Sequence, residues 1–246
     1  MFGHKPFWLL ADHRSRHGYA VLRLANRGLG DATGIRVGMT SAGAAGDMLA
    51  AVNYLQRRVD LQDIAVGRIG HSEGGLIAPM LATQRADIVF VVSMTGRGIA
   101  LGEVMAECES LVLAGRGAHQ DTVIKHGQFA RALVRQMGEM PVAEMIDAAP
   151  VAAIAARFAA AETAMKNTSE VWLRAYNLLW FCYAFRHDPA ESLQRMKASF
   201  LAIDGSLDAQ VPVRSNLGAI AQIPAAVLWA IPISGSSSCQ DSVTGS

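Results

Sequence analysis

The sequence predicts an α/β fold: a mostly parallel sheet with helices on both faces and a helical insertion between two strands. Three observations carry that prediction. Short apolar runs alternate with helix-like stretches from residue 19 to residue 94. Strand signals then vanish over about 97–198, where Ala, Met, Glu and Arg dominate. A strand-like run returns at Ser199–Ile203.

The elements follow in order. Residues 6–17 read as a helix. Tyr19–Ala25, YAVLRLA, is a short apolar run closed by Asn26-Arg27-Gly28 and predicts a buried strand. Thr40 or Ser41 caps the next helix, which runs to about Arg58 with Met48, Ala51, Val52 and Leu55 at helical spacing. Ile64–Gly70 predicts a strand, and Glu73 to about Gln84 a helix. Ile88–Met94, IVFVVSM, is almost wholly apolar, as a parallel strand covered on both faces should be. The insertion divides into helices at about 100–114, 121–137, 150–166, 169–185 and 189–197. Asp121 is expected to cap the second and Pro150 to open the third. Asp188-Pro189-Ala190-Glu191 reads as an N-cap, a first-turn proline and a capping-box glutamate. An insertion that follows the C-terminal end of a strand is expected to act as a lid. Ser199–Ile203 resumes the sheet and Ala225–Ile233 adds a strand. The core is therefore 1–96 with 199–233, the lid 97–198, and the Ser/Gly-rich 234–246 a disordered tail.

Composition bounds the function. The chain has 246 residues, 51% hydrophobic and 17% charged, enough for a sizeable core. Lys and Arg number 22 against 21 Asp and Glu, a net charge of +1 without a basic block, so there is no footprint for nucleic acid or acidic membranes. No apolar run reaches the ~18 residues of a membrane span. The start lacks a signal-peptide pattern, so the chain reads as cytoplasmic as it stands; a secreted or periplasmic location follows if an upstream segment is missing. Cys108, Cys182 and Cys239 are odd in number and outside CxxC spacing, which argues for reduced thiols. His and acidic residues fall in neither HExxH nor EF-hand spacing, so no metal and no cofactor is expected.

Gly70-His71-Ser72-Glu73-Gly74 fits G-x-S-x-G between a predicted strand and a predicted helix. In that context the pattern makes a nucleophile elbow: a sharp turn holds Ser72 in a strained conformation, and Gly70 and Gly74 keep its close neighbours free of side chains. The helix that starts there aims its N-terminus at the same spot, and the backbone N–H of Glu73 becomes an oxyanion donor. The competing reading is a tight turn with a serine that merely caps a helix.

The segments LADHRSRHGYAVLRLANRGLGDATG, RIGHSEGGLIAPMLA and FLAIDGSLDAQVPVRSNLGAI resemble successive pieces of bacterial α/β-hydrolases of the esterase/peptidase type, over roughly residues 2–220. The elbow and G-S-L-D-x-Q-V-P are the most specific parts. The resemblance implies an α/β-hydrolase-type sheet, Ser72 as nucleophile and Asp208 as the triad acid, in the chain order this fold uses. A carboxylate beyond a parallel strand's end also sits where sites form; Asp204 is read as the turn residue.

Three departures stand out. The family's histidine belongs near residues 233–238, where the chain reads Ile-Ser-Gly-Ser-Ser-Ser; His4, His13, His17, His71, His119, His126 and His187 all precede Asp208. His71 is expected to pack, His187 and the three early histidines to be solvated, and His119 and His126 to lie in the lid. The strand and glycine-rich loop that supply the second oxyanion donor should precede MFGHKPF. Ala25-Asn26 replaces the acidic residues usual before Arg27-Gly28. Loss of one oxyanion donor costs about 100- to 1000-fold, and loss of the base about a million-fold in subtilisin.

The leading expectation is a serine hydrolase that cleaves small carboxylic esters through an acyl-enzyme. A peptidase would use the same groups, and a truncated or catalytically impaired protein of this fold would bind a ligand or partner instead. A dinucleotide site at Gly28-Leu29-Gly30-Asp31-Ala32-Thr33-Gly34 misses the fingerprint spacing by one residue, and no helix-forming run starts at its end. Because CQDSVTGS looks family-like and AQIPAAVLWAIPISGSSS does not, the chain is expected to be a partial, frame-shifted reading of a longer gene. Sequencing the surrounding DNA tests this; an intact frame with no upstream coding sequence would overturn it.

Overall fold

The computed structural model describes residues 5–36, 38–62, 64–139, 179–208, 210–223 and 226–231. Helix α1 is Pro6–Arg16 and α2 Ser41–Arg57, with a 3₁₀ turn at Val59–Leu61. Strand β1, Val66–His71, leads into α3, Glu73–Ala82, and then β2, Ile88–Met94. The insertion contributes α4 (Leu101–Gly115), α5 (Gln120–Glu139), α6 (Leu179–Arg186) and α7 (Pro189–Arg195). Strand β3, Ser199–Gly205, helix α8, Val213–Ile220, and strand β4, Ala226–Ile231, complete the described residues.

The four strands lie in sequence order and every pair is parallel. His71 is level with Met94, and Met94 with Ile203, so the strands end along one carboxyl edge. The main core lies on one face, where Val91, Phe200 and Ala202 meet Ala78 and Leu81 of α3, Leu193 of α7, and Leu217 and Ile220 of α8. Each large apolar side chain buried there contributes about 1.5–3 kcal/mol. The other face is more open: Ile69 is 39% exposed, and its row-mates Val92 and Leu201 are half-buried. The insertion has a separate core of Leu101, Ala106, Phe129, Leu133, Cys182 and Phe185. Helices α4 and α5 approach closely at Gly102, where a methyl group would lie 2.2 Å from Val134 Cγ1.

Several boundaries match the sequence-based expectation. Thr40 caps α2, accepting from Gly43 N at 3.2 Å. Asp188 caps α7 through Ala190 N at 2.9 Å, with Pro189 at the first helical position. Glu191 pairs with Arg195 rather than closing a capping box.

Others differ. Tyr19–Ala25 is not a strand. The segment joins no ladder, and Tyr19, Val21, Leu22 and Leu24 are 38–53% exposed. An apolar, β-prone run becomes a strand only when a neighbour takes its N–H and C=O groups, and among the described residues β1 is a sheet edge. Asp121 does not cap α5, which already starts at Gln120; the Asp121 N–H instead faces His119 Nδ1 at 3.4 Å. Helix α8 was not anticipated, although Val213, Asn216, Leu217 and Ile220 have helical spacing behind Pro212. The helix expected at 150–166, Pro150, most of the one at 169–185, Cys239 and the tail 234–246 lie outside the described residues. Among those described, no helix is long and apolar enough to cross a membrane.

Hydrogen exchange tests the unpaired state of residues 20–25. The amides of residues 20–25 should exchange close to the unstructured rate, while those of Val91–Ser93 should be strongly protected. Equal protection would put the segment back in a sheet.

Candidate active site

The turn between β1 and α3 has φ 55° and ψ −117° at Ser72, a region an L-residue enters only under constraint. The Ser72 N–H donates to Met94 O at 2.9 Å, and Gly75 N–H donates to Ser72 O at 2.9 Å. The Ser72 side chain is exposed and makes no capping bond to α3. The N–H of Glu73, first residue of α3, is among the donors a helix cannot satisfy internally.

The glycines divide their work differently from the expectation. A methyl group on Gly70 would lie 2.0 Å from Gly74 O and 2.7 Å from Gly75 N. One on Gly75 would lie 2.5 Å from Ser93 Oγ and 2.8 Å from Gly96 Cα. Gly74 itself has open space where its side chain would go. Gly70 and Gly75, not Gly74, are therefore the positions that must lack a side chain.

Around the turn lies a set of charged groups. Glu73 Oε1 accepts from Ser41 Oγ at 2.7 Å and from Trp180 Nε1, which ties α2 and α6 to the elbow. Arg97, three residues beyond β2, is only 9% exposed, and burial pushes its pKa down to about 10 against the pull of Glu73. His187 is not the solvated residue expected. Its ring stacks on Tyr183 at 5.4 Å, and burial, with Arg97 nearby, lowers its pKa. His71 packs edge-on against Phe7 at 5.7 Å, as expected. His126 is buried 3.3 Å from Glu109 within the insertion.

Asp208 follows β3, two strands from Ser72 on the same sheet edge, which strand spacing puts at roughly 10 Å between strand axes. Its Oδ1 accepts from Gln210 N at 2.7 Å and Val211 N at 3.0 Å. Among the described residues no imidazole bonds to it. Asp204 is not the turn residue. It lies within β3, 1% exposed, with Oδ1 lacking a partner, and burial followed by Asp208 pushes its pKa up to about 6. Cys108 lies beside the same turn, its Sγ 2.9 Å from Gln210 O, and its pKa is raised to about 11 by burial and then Asp208. Neither Cys108 nor Cys182 forms a disulfide. Among the described residues, no three His, Cys, Asp or Glu side chains are grouped to hold a metal.

The glycine turn at 28–34 is a compact loop with Gly28, Gly30 and Gly34 at positive φ, and the next helix starts only at Ser41, which gives a dinucleotide no helix N-terminus there. Arg27 pairs with Asp47 of α2, Nε to Oδ2 at 2.7 Å. The residues the sequence reading missed are Gly75, Arg97 and Trp180. A charged Arg97 between two glycines just after an apolar parallel strand was the available signal.

Two outcomes test this geometry. Gly70→Ala should destabilise the protein by more than about 3 kcal/mol, whereas Gly74→Ala should change stability by less than about 1 kcal/mol, measured by urea unfolding. Asp204 has a raised folded pKa, so the unfolded chain gives up its proton first and stability falls as pH rises from about 4 to about 6. Asp204→Asn should remove that fall, gaining on the order of 1–2 kcal/mol on wild type between pH 4 and pH 7 after allowance for solvent screening. A parallel pH profile would contradict it.

The profile of the family described as BAAT / Acyl-CoA thioester hydrolase C terminal matches residues 49–168, just under half of the chain. No curated protein matches the sequence. A hydrolase from Pseudomonas aeruginosa is similar at 18% identity, over 91% of this chain and 76% of its own, with TM-score 0.51. An alpha-beta serine hydrolase homologue from Coxiella burnetii is similar at 12% identity, over 92% of this chain and 65% of its own, with TM-score 0.50. At such identities the likeness concerns the fold: the chain has an α/β-hydrolase-type architecture.

Proposed function

We propose that the protein is a serine hydrolase that cleaves carboxylic esters through an acyl-enzyme on Ser72. The observation that carries this reading is the positive φ of an exposed Ser72 whose hydroxyl caps nothing. A serine kept only to cap α3 would be bonded to the first turn and would have no reason to be strained.

Ser72 Oγ attacks the ester carbonyl carbon and its proton passes to a base. The Glu73 N–H and the N-terminus of α3 face the oxygen as it gains negative charge. The C–O bond to the alcohol breaks as that group takes the proton, and water then hydrolyses the acyl-serine. Asp208 is assigned to orient the base. Its Oδ1 is held by two backbone N–H groups, which fixes the carboxylate in place. The description of the matched family adds a thioester as a second acyl donor for the same chemistry, and a peptidase would need only a different pocket.

The absence of an imidazole on Asp208 among the described residues favours one further reading, an impaired hydrolase that binds without turnover. Kinetics with p-nitrophenyl butyrate separate the two. Wild type should hydrolyse it, Ser72→Ala should lose the activity, and Asp208→Asn should lower the rate constant about 10⁴-fold if an imidazole serves Ser72. Equal rates for wild type and Ser72→Ala, with both folded, would sink the hydrolase in favour of the binding protein.

A further inference from the structure

Arg97 presents an unmet demand at the carboxyl edge of the sheet. Its Nη1 is enclosed and has no hydrogen-bond partner among the described residues. A buried guanidinium without acceptors is costly, and such a cost is retained where something else supplies the acceptors. Glu73 is near enough to favour the charged form, yet its Oε1 is taken by Ser41 and Trp180 and it makes no hydrogen bond to Arg97. Arg68, the other arginine with an enclosed unpartnered nitrogen among the described residues, lies within β1 against Met48.

The loop holding Arg97 is built to stay put. Gly96 on one side is pressed against Ser93 and Gly75, with a methyl group there reaching 2.1 Å from Ser93 Oγ. Gly98 on the other side donates its N–H to Asn216 Oδ1 at 2.8 Å, and Asn216 is fully buried. Two clamped glycines therefore fix the arginine between them. Met94, whose carbonyl holds the Ser72 N–H, is three residues upstream. His187, beside Arg97, lines a cleft of about 310 Å³ together with Thr40, Leu179, Cys182, Tyr183 and Arg186.

We propose that Arg97 is the specificity-determining residue for a carboxylate on the acyl part of the substrate, so that the preferred substrates are half-esters of short dicarboxylic acids. This rests on Ser72 being the reacting centre. A carboxylate matches the planar fork of a guanidinium with two parallel hydrogen bonds. A single negative charge also suits the setting, because Glu73 stands close by and would repel a phosphate dianion more strongly.

Calorimetry on the Ser72→Ala protein tests this without turnover, with monomethyl glutarate as the anionic probe and dimethyl glutarate as its neutral counterpart. The half-ester should bind at least about tenfold tighter than the diester. Adding Arg97→Gln should weaken half-ester binding about ten- to hundredfold and leave the diester unchanged. Arg97→Lys, which keeps the charge and loses the fork, should fall between and serves if the glutamine variant does not fold. Equal affinities for the two probes, or half-ester binding indifferent to both substitutions, would overturn the assignment. Displacement of the half-ester by inorganic phosphate at equal concentration would overturn the choice of carboxylate. If p-nitrophenyl ester turnover fails while the Arg97-dependent preference persists, the hydrolase reading falls and the anion site stands.

Discussion

Ser72 keeps its positive φ because the backbone around it is too crowded to relax. Gly70 lies under the carbonyl of Gly74, and Gly75 lies against Gly96 at the end of β2. Two hydrogen bonds, to Met94 O and from Gly75 N, close the turn on both sides. Strain of this kind costs about 1–3 kcal/mol and persists only where the surroundings over-determine it. The same crowding presses the first turn of α3 against the sheet edge, so its N-terminal dipole and the serine hydroxyl share one place.

The charges at that edge follow from the register. His71, Met94 and Ile203 are level, so the residues just beyond them gather in one row. Glu73, Arg97 and the pair Asp204 and Asp208 occupy it. Glu73 is the junction between the sheet and the insertion, since Trp180 of α6 and Ser41 of α2 both donate to it. Burial, and then the neighbouring Asp208, raise the pKa of Asp204 to about 6, while the Asp208 carboxylate is held by two backbone N–H groups.

Much of this was legible in the sequence. IVFVVSM gave β2 with its correct ends, because a buried parallel strand is apolar on both faces. Asp188-Pro189 gave the start of α7, because that signal is local chemistry. YAVLRLA failed because a strand depends on a neighbour that no local pattern reveals. Gly74 and Gly75 are adjacent and identical in the sequence, and only three-dimensional packing shows which one has no room. Asp204 was misplaced in the turn for the same reason. Either suits a turn after a strand, but β3 runs two residues further than its apolar run and carries Asp204 inward.

The most direct measurement of the central claim is intact-mass and peptide analysis of protein quenched during reaction with p-nitrophenyl acetate. The account predicts a single acetyl group per chain, located on the peptide that contains Ser72 and absent from Ser72→Ala. Folded wild-type protein that remains unacylated, or that carries the acetyl group on Cys108 or a lysine instead, would contradict it.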